Sequence, residues 1–325
     1  MKLRRRKFLH LVTGAVALPT VCRAASAFDY PNRPVRLVVG FAAGGPLDTG
    51  ARLIGQWLSK RLGQSFIIEN RPGASGNLAA EEVVHAAPDG YTLLECAAAN
   101  AWNTSLYPSL SFDFARDIAP VASVSRGGGV LEVNLAVPAK TLSEFIAYAK
   151  ANPGKINMAS AGPGSAPGLY GELFKSMAGV NLVTVNYRGS GPALPDLIAG
   201  RVQVMFDVAI TAIGPVKAGK VRALAVTNAK RIAALPEIPT VGEFVPGYEA
   251  TGWQGIGAPR NTSPEIIEIV NREVNSALAD PEFKRRLADL GFDPFANSPT
   301  EFGRFIVEYT EKWRKVIRAA GIKAE

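Results

Sequence analysis

The sequence predicts an α/β protein of two lobes, each a mostly parallel sheet flanked by helices, and three observations carry that prediction. Runs rich in Val, Ile and Leu alternate with amphipathic helical stretches, the pattern of strands covered on both faces. The alternation pauses at Ser125-Arg126-Gly127-Gly128-Gly129 and again at 246–252, which reads as two crossings between two similar units, with one large sheet as the alternative that the glycines at 127–129 disfavour. Beyond the first residues about 300 remain, a length at which one core ordinarily divides in two.

The opening residues read as an export signal. Lys2, Arg4, Arg5, Arg6 and Lys7 form a positive start, residues 8–18 an apolar core, and Ala25-Ser26-Ala27 a small-x-small cleavage site. That core is too short to span a bilayer as a stable helix. Arg5-Arg6-Lys7-Phe8-Leu9 also fits the core of a twin-arginine signal. The expected location is therefore periplasmic, with cleavage near Ala27. The expected boundaries are 1–27 for the signal peptide, 28–125 with 250–325 for one lobe, and 126–249 for the other.

In the first lobe, 35–39 is a buried-strand run. Leu47, Ala51, Ile54, Leu58 and Leu62 keep helical spacing until Gly63 stops it. A strand at 65–69, the turn Asn70-Arg71-Pro72-Gly73, a helix at 77–86 and a strand at 92–96 follow, and a strand at 130–137 leaves the unit. The second lobe opens on a helix at 141–152, with Thr141 and Glu144 as a capping box. Strands at 157–160 and 182–186 precede helices at 165–178 and 192–199, and strands at 202–206 and 221–226 enclose a helix at 213–218. After the second crossing come a strand at 253–258 and helices at 263–278, 281–290 and 299–320.

Charge and composition exclude several functions. The chain holds 36 basic and 28 acidic residues, but six of the basic ones lie in the leader, leaving 30 against 28. The basic balance thus gives no support for nucleic-acid binding, which needs a clustered basic surface. Cys22 leaves with the leader, so Cys96, in the apolar run at 92–96, reads as a small buried hydrophobe. Only His85 remains as a histidine, at a helix end, which removes the usual part from a histidine triad or a multi-histidine zinc site. No P-loop or nucleophile elbow is present, and Gly162-Pro163-Gly164 lacks the third glycine of a dinucleotide fingerprint. Neither a cofactor nor a metal is expected.

Three loops at strand ends share one chemistry. They are Phe41-Ala42-Ala43-Gly44-Gly45-Pro46-Leu47-Asp48, Ser160-Ala161-Gly162-Pro163-Gly164-Ser165 and Tyr187-Arg188-Gly189-Ser190-Gly191-Pro192. Each brings glycines that let backbone approach a ligand, and each opens a helix whose free N–H groups attract an anion. In open α/β sheets such loops form the ligand crevice. Asp48 reads first as a helix-start acid and second as a ligand contact. Asp207, at a strand end, either meets a ligand or ties a neighbouring loop. Tyr187 and Trp253 are candidate walls of the cleft. An exported enzyme using Asp48 or Asp207 as base, and a sensor docking on a signalling protein, are the competing readings.

Read in order, these segments resemble the Bug family, the TctC-like extracytoplasmic receptors of tripartite tricarboxylate transporters. The similarity runs through Tyr30-Pro31-x-Arg33-Pro34, Phe41-Ala42-x-Gly44-Gly45-x-x-Asp48 and Glu69-Asn70-Arg71-Pro72-Gly73-Ala74. It continues through Ala87-Pro88-Asp89-Gly90-Tyr91, Ser160-Ala161-Gly162-x-Gly164-Ser165, Tyr187-Arg188-Gly189, Gln203-Val204-Met205-Phe206-Asp207 and Leu235-Pro236-x-Ile238-Pro239. The resemblance implies a two-lobed Venus-flytrap fold that closes on a small organic carboxylate, hands it to a membrane permease and performs no catalysis. For the 41–48, 160–165 and 187–191 loops it implies carboxylate binding; the expected ligand contacts are Phe41, Ala42, Gly44, Gly45, Asp48, Asn100, Ser160, Gly162, Gly164, Ser165, Tyr187, Arg188, Gly189 and Asp207, and a monomer is expected. Two positions depart from many members: Ala43 stands for a proline, and Gly168 for a histidine.

Overall fold

The computed structural model describes residues 29–107, 109–162, 164–187 and 189–322; the export-signal features, Arg188 and Pro163 lie outside the described residues. The first sheet is built from β1 (Val35–Val39), α1 (Pro46–Leu62), β2 (Phe66–Asn70), α2 (Asn77–Val84) and β3 (Thr92–Ala97), with α3 (Ala98–Leu106) and α4 (Phe114–Asp117) leading on. β2, β1 and β3 are parallel neighbours, and Val35, Leu37, Val38 and Val39 are buried, as a strand covered on both faces requires. α1 begins on Pro46, whose fixed φ suits a first helical position, and ends at the left-handed Gly63, which donates to the Ser59 carbonyl.

One strand, β4 (Ile118–Val133), joins the two halves. The second half contains α5 (Leu142–Ala151), β5 (Asn157–Ser160), α6 (Ala166–Ala178), β6 (Val183–Asn186), α7 (Ser190–Ile198), β7 (Val204–Val208), α8 (Ala209–Lys217) and β8 (Arg222–Val226). The chain then returns through β9 (Thr251–Pro259), α9 (Pro264–Ala279), α10 (Pro281–Asp289), β10 (Asp293–Pro294) and α11 (Pro299–Ala320). From Ile118 to Gly128, β4 runs antiparallel to β9; from Gly129 to Val133 it runs antiparallel to β7 on one side and, from Val130, to β8 on the other. β5 lies parallel between β7 and β6. The chain from Pro31 onward packs as one compact unit.

The sequence reading placed a pause at Gly127–Gly129 and a strand from 130; the structure instead carries one strand of 16 residues through that point. The glycines are there because neighbouring chain comes too close for a side chain. A Cβ at Gly129 would lie 2.3 Å from the Asp207 carbonyl oxygen, and one at Gly127 would lie 2.8 Å from Phe292. Besides the 3₁₀ turns Ala74–Gly76 and Val241–Glu243, three elements escaped the sequence reading. α3 opens on Ala97 with no side-chain cap, α4 is a single turn capped by Asp113, and β10 is two residues long. α8 starts at Ala209, not 213.

The second crossing is pinned at one side chain. The buried Thr227 hydroxyl accepts from Gly129 N at 2.6 Å and donates to the Ala250 carbonyl at 2.6 Å. Valine has nearly the same shape, so Thr227→Val strands both backbone groups without opening a cavity. The expected loss is about 2–4 kcal/mol in urea unfolding, since each buried unpaired group costs ~1–3 kcal/mol. A loss below ~0.5 kcal/mol, the range of ordinary surface substitutions, would show that the crossing does not depend on this hydroxyl.

α11 supplies the floor between the halves. Ser298 and Glu301 close a capping box at its start, and Phe302, Ile306, Tyr309, Trp313 and Ile317 bury one face at three- and four-residue spacing. Trp313 packs edge-on to Trp102 from the first half, 5.7 Å between centroids, and lies 6.2 Å from Tyr170 of the second. Tyr309 meets Trp253 edge-on and Trp102 at a tilt, each with 6.0 Å between centroids.

Candidate functional site

Four helix N-termini converge on one cavity of about 400 Å³. From the first half come Phe41, Pro46 and Leu47 at the start of α1, and Ala97, Ala98, Ala99 and Trp102 of α3. From the second come Gly164, Ser165, Ala166 and Tyr170 of α6, and Val208, Ala209 and Ile210 of α8. Gly127 and Gly128 of β4 and Gly252, Trp253 and Gln254 of β9 form the back wall, and Ser75 with the turn Leu290-Gly291-Phe292 completes it. That turn reaches across from the first half: a Cβ at Gly291 would lie 3.3 Å from Ile210 N.

Among the described residues, no Asp, Glu, Lys, Arg or His lines the cavity. The field that the described lining supplies therefore comes from backbone. The first N–H groups of a helix have no partner within it, and the aligned peptide dipoles add roughly half a positive charge at that end. Four such ends around a mostly apolar space make a site for anionic oxygen atoms.

Local hydrogen bonds hold each end in place. Asp48 accepts from Gly44 N at 2.8 Å, Asn70 Nδ2 at 2.9 Å and Arg52 Nε at 2.9 Å, and Asn70 Nδ2 also reaches the Phe41 carbonyl. Burial opposes ionisation of Asp48, but Arg52, the Gly44 amide and Asn70 together hold its pKa below the ordinary carboxylate value. Asn100 Oδ1 accepts from Ala97 N at 2.8 Å and so turns the start of α3. Ser165 caps α6 by accepting from Gly168 N. A Cβ at Gly168 would lie 2.7 Å from Ser160 Oγ and 2.9 Å from the Gly162 carbonyl, so in this chain the 160–165 turn fills the room a larger residue would need.

Of the residues the sequence singled out, the structure brings Phe41, Gly164 and Ser165 to the cavity wall. Gly44 and Asp48 face a separate groove beside Arg52 and Arg286, and neither Ala42 nor Gly45 lines the cavity. Asn100, in the first turn of α3, is buried and does not line the cavity. Ser160 and Gly162 lie on the far side of their turn with Lys175 and Thr184. Tyr187 points away to Asp196, and Gly189 N donates to the Ala161 carbonyl. Asp207 is wholly buried and accepts from Ser190 Oγ and Val208 N, the loop-tying alternative of the two read from sequence. Cys96 is buried, and burial, aided by the Glu95 charge, pushes its thiol pKa well up, which removes nucleophilic character.

Sequence reasoning missed α3, Tyr170, the start of α8 and the 290–292 turn. The Val-Ala-Ile sequence at 208–210 continues a strand in composition, so its turn into a helix carries no local signal. Trp253, read as a candidate wall, does line the cavity; Tyr187 does not.

The family model described as "Tripartite tricarboxylate transporter family receptor" matches residues 51–322. A UPF0065 protein from the tcbD-tcbE intergenic region of Pseudomonas sp. (strain P51) is 35% identical over 306 residues, covering 93% of this chain and 91% of that protein. Among solved structures, R. palustris Rpa4515 with adipate superposes with a TM-score of 0.81 at 39% identity, covering 91% of this chain and 99% of that one. MatC (Rpa3494) from Rhodopseudomonas palustris with bound malate gives a TM-score of 0.75 at 35% identity, over 89% and 100% of the two chains.

Proposed function

The chain belongs to the TctC family of tripartite tricarboxylate transporter receptors, and from that premise we propose that it captures a small organic carboxylate between two lobes and delivers it to a membrane permease. Its fold is the two-lobed α/β fold of periplasmic binding proteins, and its relatives are solute receptors rather than enzymes. The lobes in this reading are 28–125 with 250–325, and 126–249, hinged where β4 changes neighbours at Gly128 and Gly129 and where Thr227 meets Ala250. The receptor works in the periplasm as a monomer, after removal of residues 1–27, and transforms nothing.

The observation that carries the reading is the set of four helix ends, two from each half, around a cavity that no charged side chain among the described residues lines. A carboxylate there is held by main-chain amides of α1, α3, α6 and α8, with Ser165 adding a hydroxyl. Burial in an apolar enclosure strengthens those charge-assisted bonds. Both halves must grip the anion, so binding favours closure. The bound carboxylates of the two structural relatives, adipate and malate, support the same ligand class.

The test is unfolding of purified protein with organic acids. A carboxylate at a hundred times its dissociation constant is expected to add ~2.7 kcal/mol to stability. Folded protein that no carboxylate in a broad panel stabilises would overturn the receptor reading.

A further inference from the structure

Resting on that receptor reading, we propose that the carboxylate this cavity takes is carried on an aromatic ring, and that Phe41 and Phe292 are the side chains that grip the ring. Five aromatic residues reach the cavity: Phe41, Trp102, Tyr170, Trp253 and Phe292. Three of them are committed to the core. Trp102 and Tyr170 pack on Trp313, with 5.7 and 6.2 Å between centroids, and Trp253 meets Phe302 edge-on at 5.4 Å. Phe41 and Phe292 differ. Both are half-buried, and among the described residues neither ring packs on another aromatic ring.

The main chain holds both rings in place. A Cβ at Gly76 would lie 3.2 Å from the Phe41 ring, and one at Gly127 would lie 2.8 Å from the Phe292 ring, so each phenyl group rests against bare backbone. Asn70 Nδ2 donates to the Phe41 carbonyl at 3.0 Å. Phe292 follows the left-handed Gly291, where Gly291 N donates to the Ala288 carbonyl and Phe292 N to the Leu287 carbonyl, closing the end of α10. The cavity thus keeps two fixed, partly open phenyl groups that lack an aromatic partner, beside helix ends suited to one carboxylate. Aromatic rings prefer to meet edge to face or offset, because the positive ring edge is drawn to the negative ring face. A flat ligand ring supplies that contact. A saturated ring of the same carbon skeleton buries similar apolar area but has no π face to offer.

The experiment is calorimetric titration of the purified protein with matched acids: benzoate against cyclohexanecarboxylate, and phenylacetate against cyclohexylacetate. Each pair shares its carboxylate and its carbon count. The aromatic member is expected to bind more tightly, by about two- to ten-fold for each phenylalanine that touches the ring. Phe292→Leu and Phe41→Leu, made separately, keep an apolar side chain and are each expected to lower the aromatic-to-saturated ratio by that factor. Where one variant fails to fold, the other decides. Equal or tighter binding of the saturated acids overturns the proposal, and so does a ratio unmoved in either folded variant. Binding of adipate or citrate without either aromatic acid overturns the ring but leaves the receptor reading standing. Failure of every carboxylate to bind overturns both.

Discussion

Gly129→Ala is expected to destabilise the protein by about 3 kcal/mol, the upper end of the ordinary cost of overpacking. The added Cβ would lie 2.3 Å from the Asp207 carbonyl oxygen and 3.2 Å from the Tyr170 ring. The first neighbour is backbone in β7, paired in register with Gly129 through Val208, so it has no rotamer to change. Relief requires β4 and β7 to separate. Since β7 feeds the start of α8 at the cavity wall, the folded fraction should also be weaker in the proposed carboxylate binding. Gly214→Ala is the control: apart from its chain neighbours nothing lies near the Cβ position, and since the helix-propensity gain is offset by the following Pro215, alanine there should change stability by less than ~1 kcal/mol. Urea unfolding of the two variants checks the contrast. Equal effects would show that helix or strand propensity, not the close approach, decides the outcome at 129.

Glu132→Gln should raise stability by about 3 kcal/mol at pH 7, with the gain growing as pH rises. Glu132 is fully buried in β4, and neither carboxyl oxygen has a hydrogen-bond partner. Burial, and then the charge on Asp207, push its pKa up from 4.5 to about 9. Asp207 is itself raised by burial, against the hydrogen bonds of Ser190, Thr211 and Val208 that favour its charged form. Between pH 4.5 and about 9 the folded protein holds a proton on Glu132 that the unfolded chain has released. Folding stability therefore falls by up to ~1.4 kcal/mol per pH unit across that window, and the contribution is complete only below it. Glutamine stays neutral throughout, so the variant should lose this slope. Urea unfolding at pH 5 and pH 8 reads the difference directly. A gain of the same size at both values would mean that Glu132 does not titrate with folding.

Much of the fold was legible because it rests on short-range rules. The run at 35–39 becomes β1 without a residue's difference, and α11 spans 299–320 as its periodicity and proline predict. Thr141 caps α5 by accepting from Glu144 N. The triple glycine was legible as a special point but not as to kind. A break and a close approach both call for glycine, and only the neighbour, the Asp207 carbonyl oxygen, tells them apart.

The candidate site divides along the same line. The 41–48 and 160–165 turns announced themselves by glycine before a helix, and each places residues on the cavity. α3 and α8 did not. Their first residues, Ala97 to Ala99 and Val208 to Ile210, carry no capping side chain and look like strand continuing.

By itself, then, the sequence determined the α/β class, most element boundaries and the family, because periodicity, capping and motif order are written in neighbouring residues. Which helix starts share one cavity, and that Asp48 and Asp207 tie loops behind its walls, was decided only by the tertiary structure. The shared cavity depends on contacts between segments more than a hundred residues apart, brought together by β4 and β9, and the roles of Asp48 and Asp207 depend on the approach of neighbouring loops, such as Asn70 and Ser190, that no local pattern encodes.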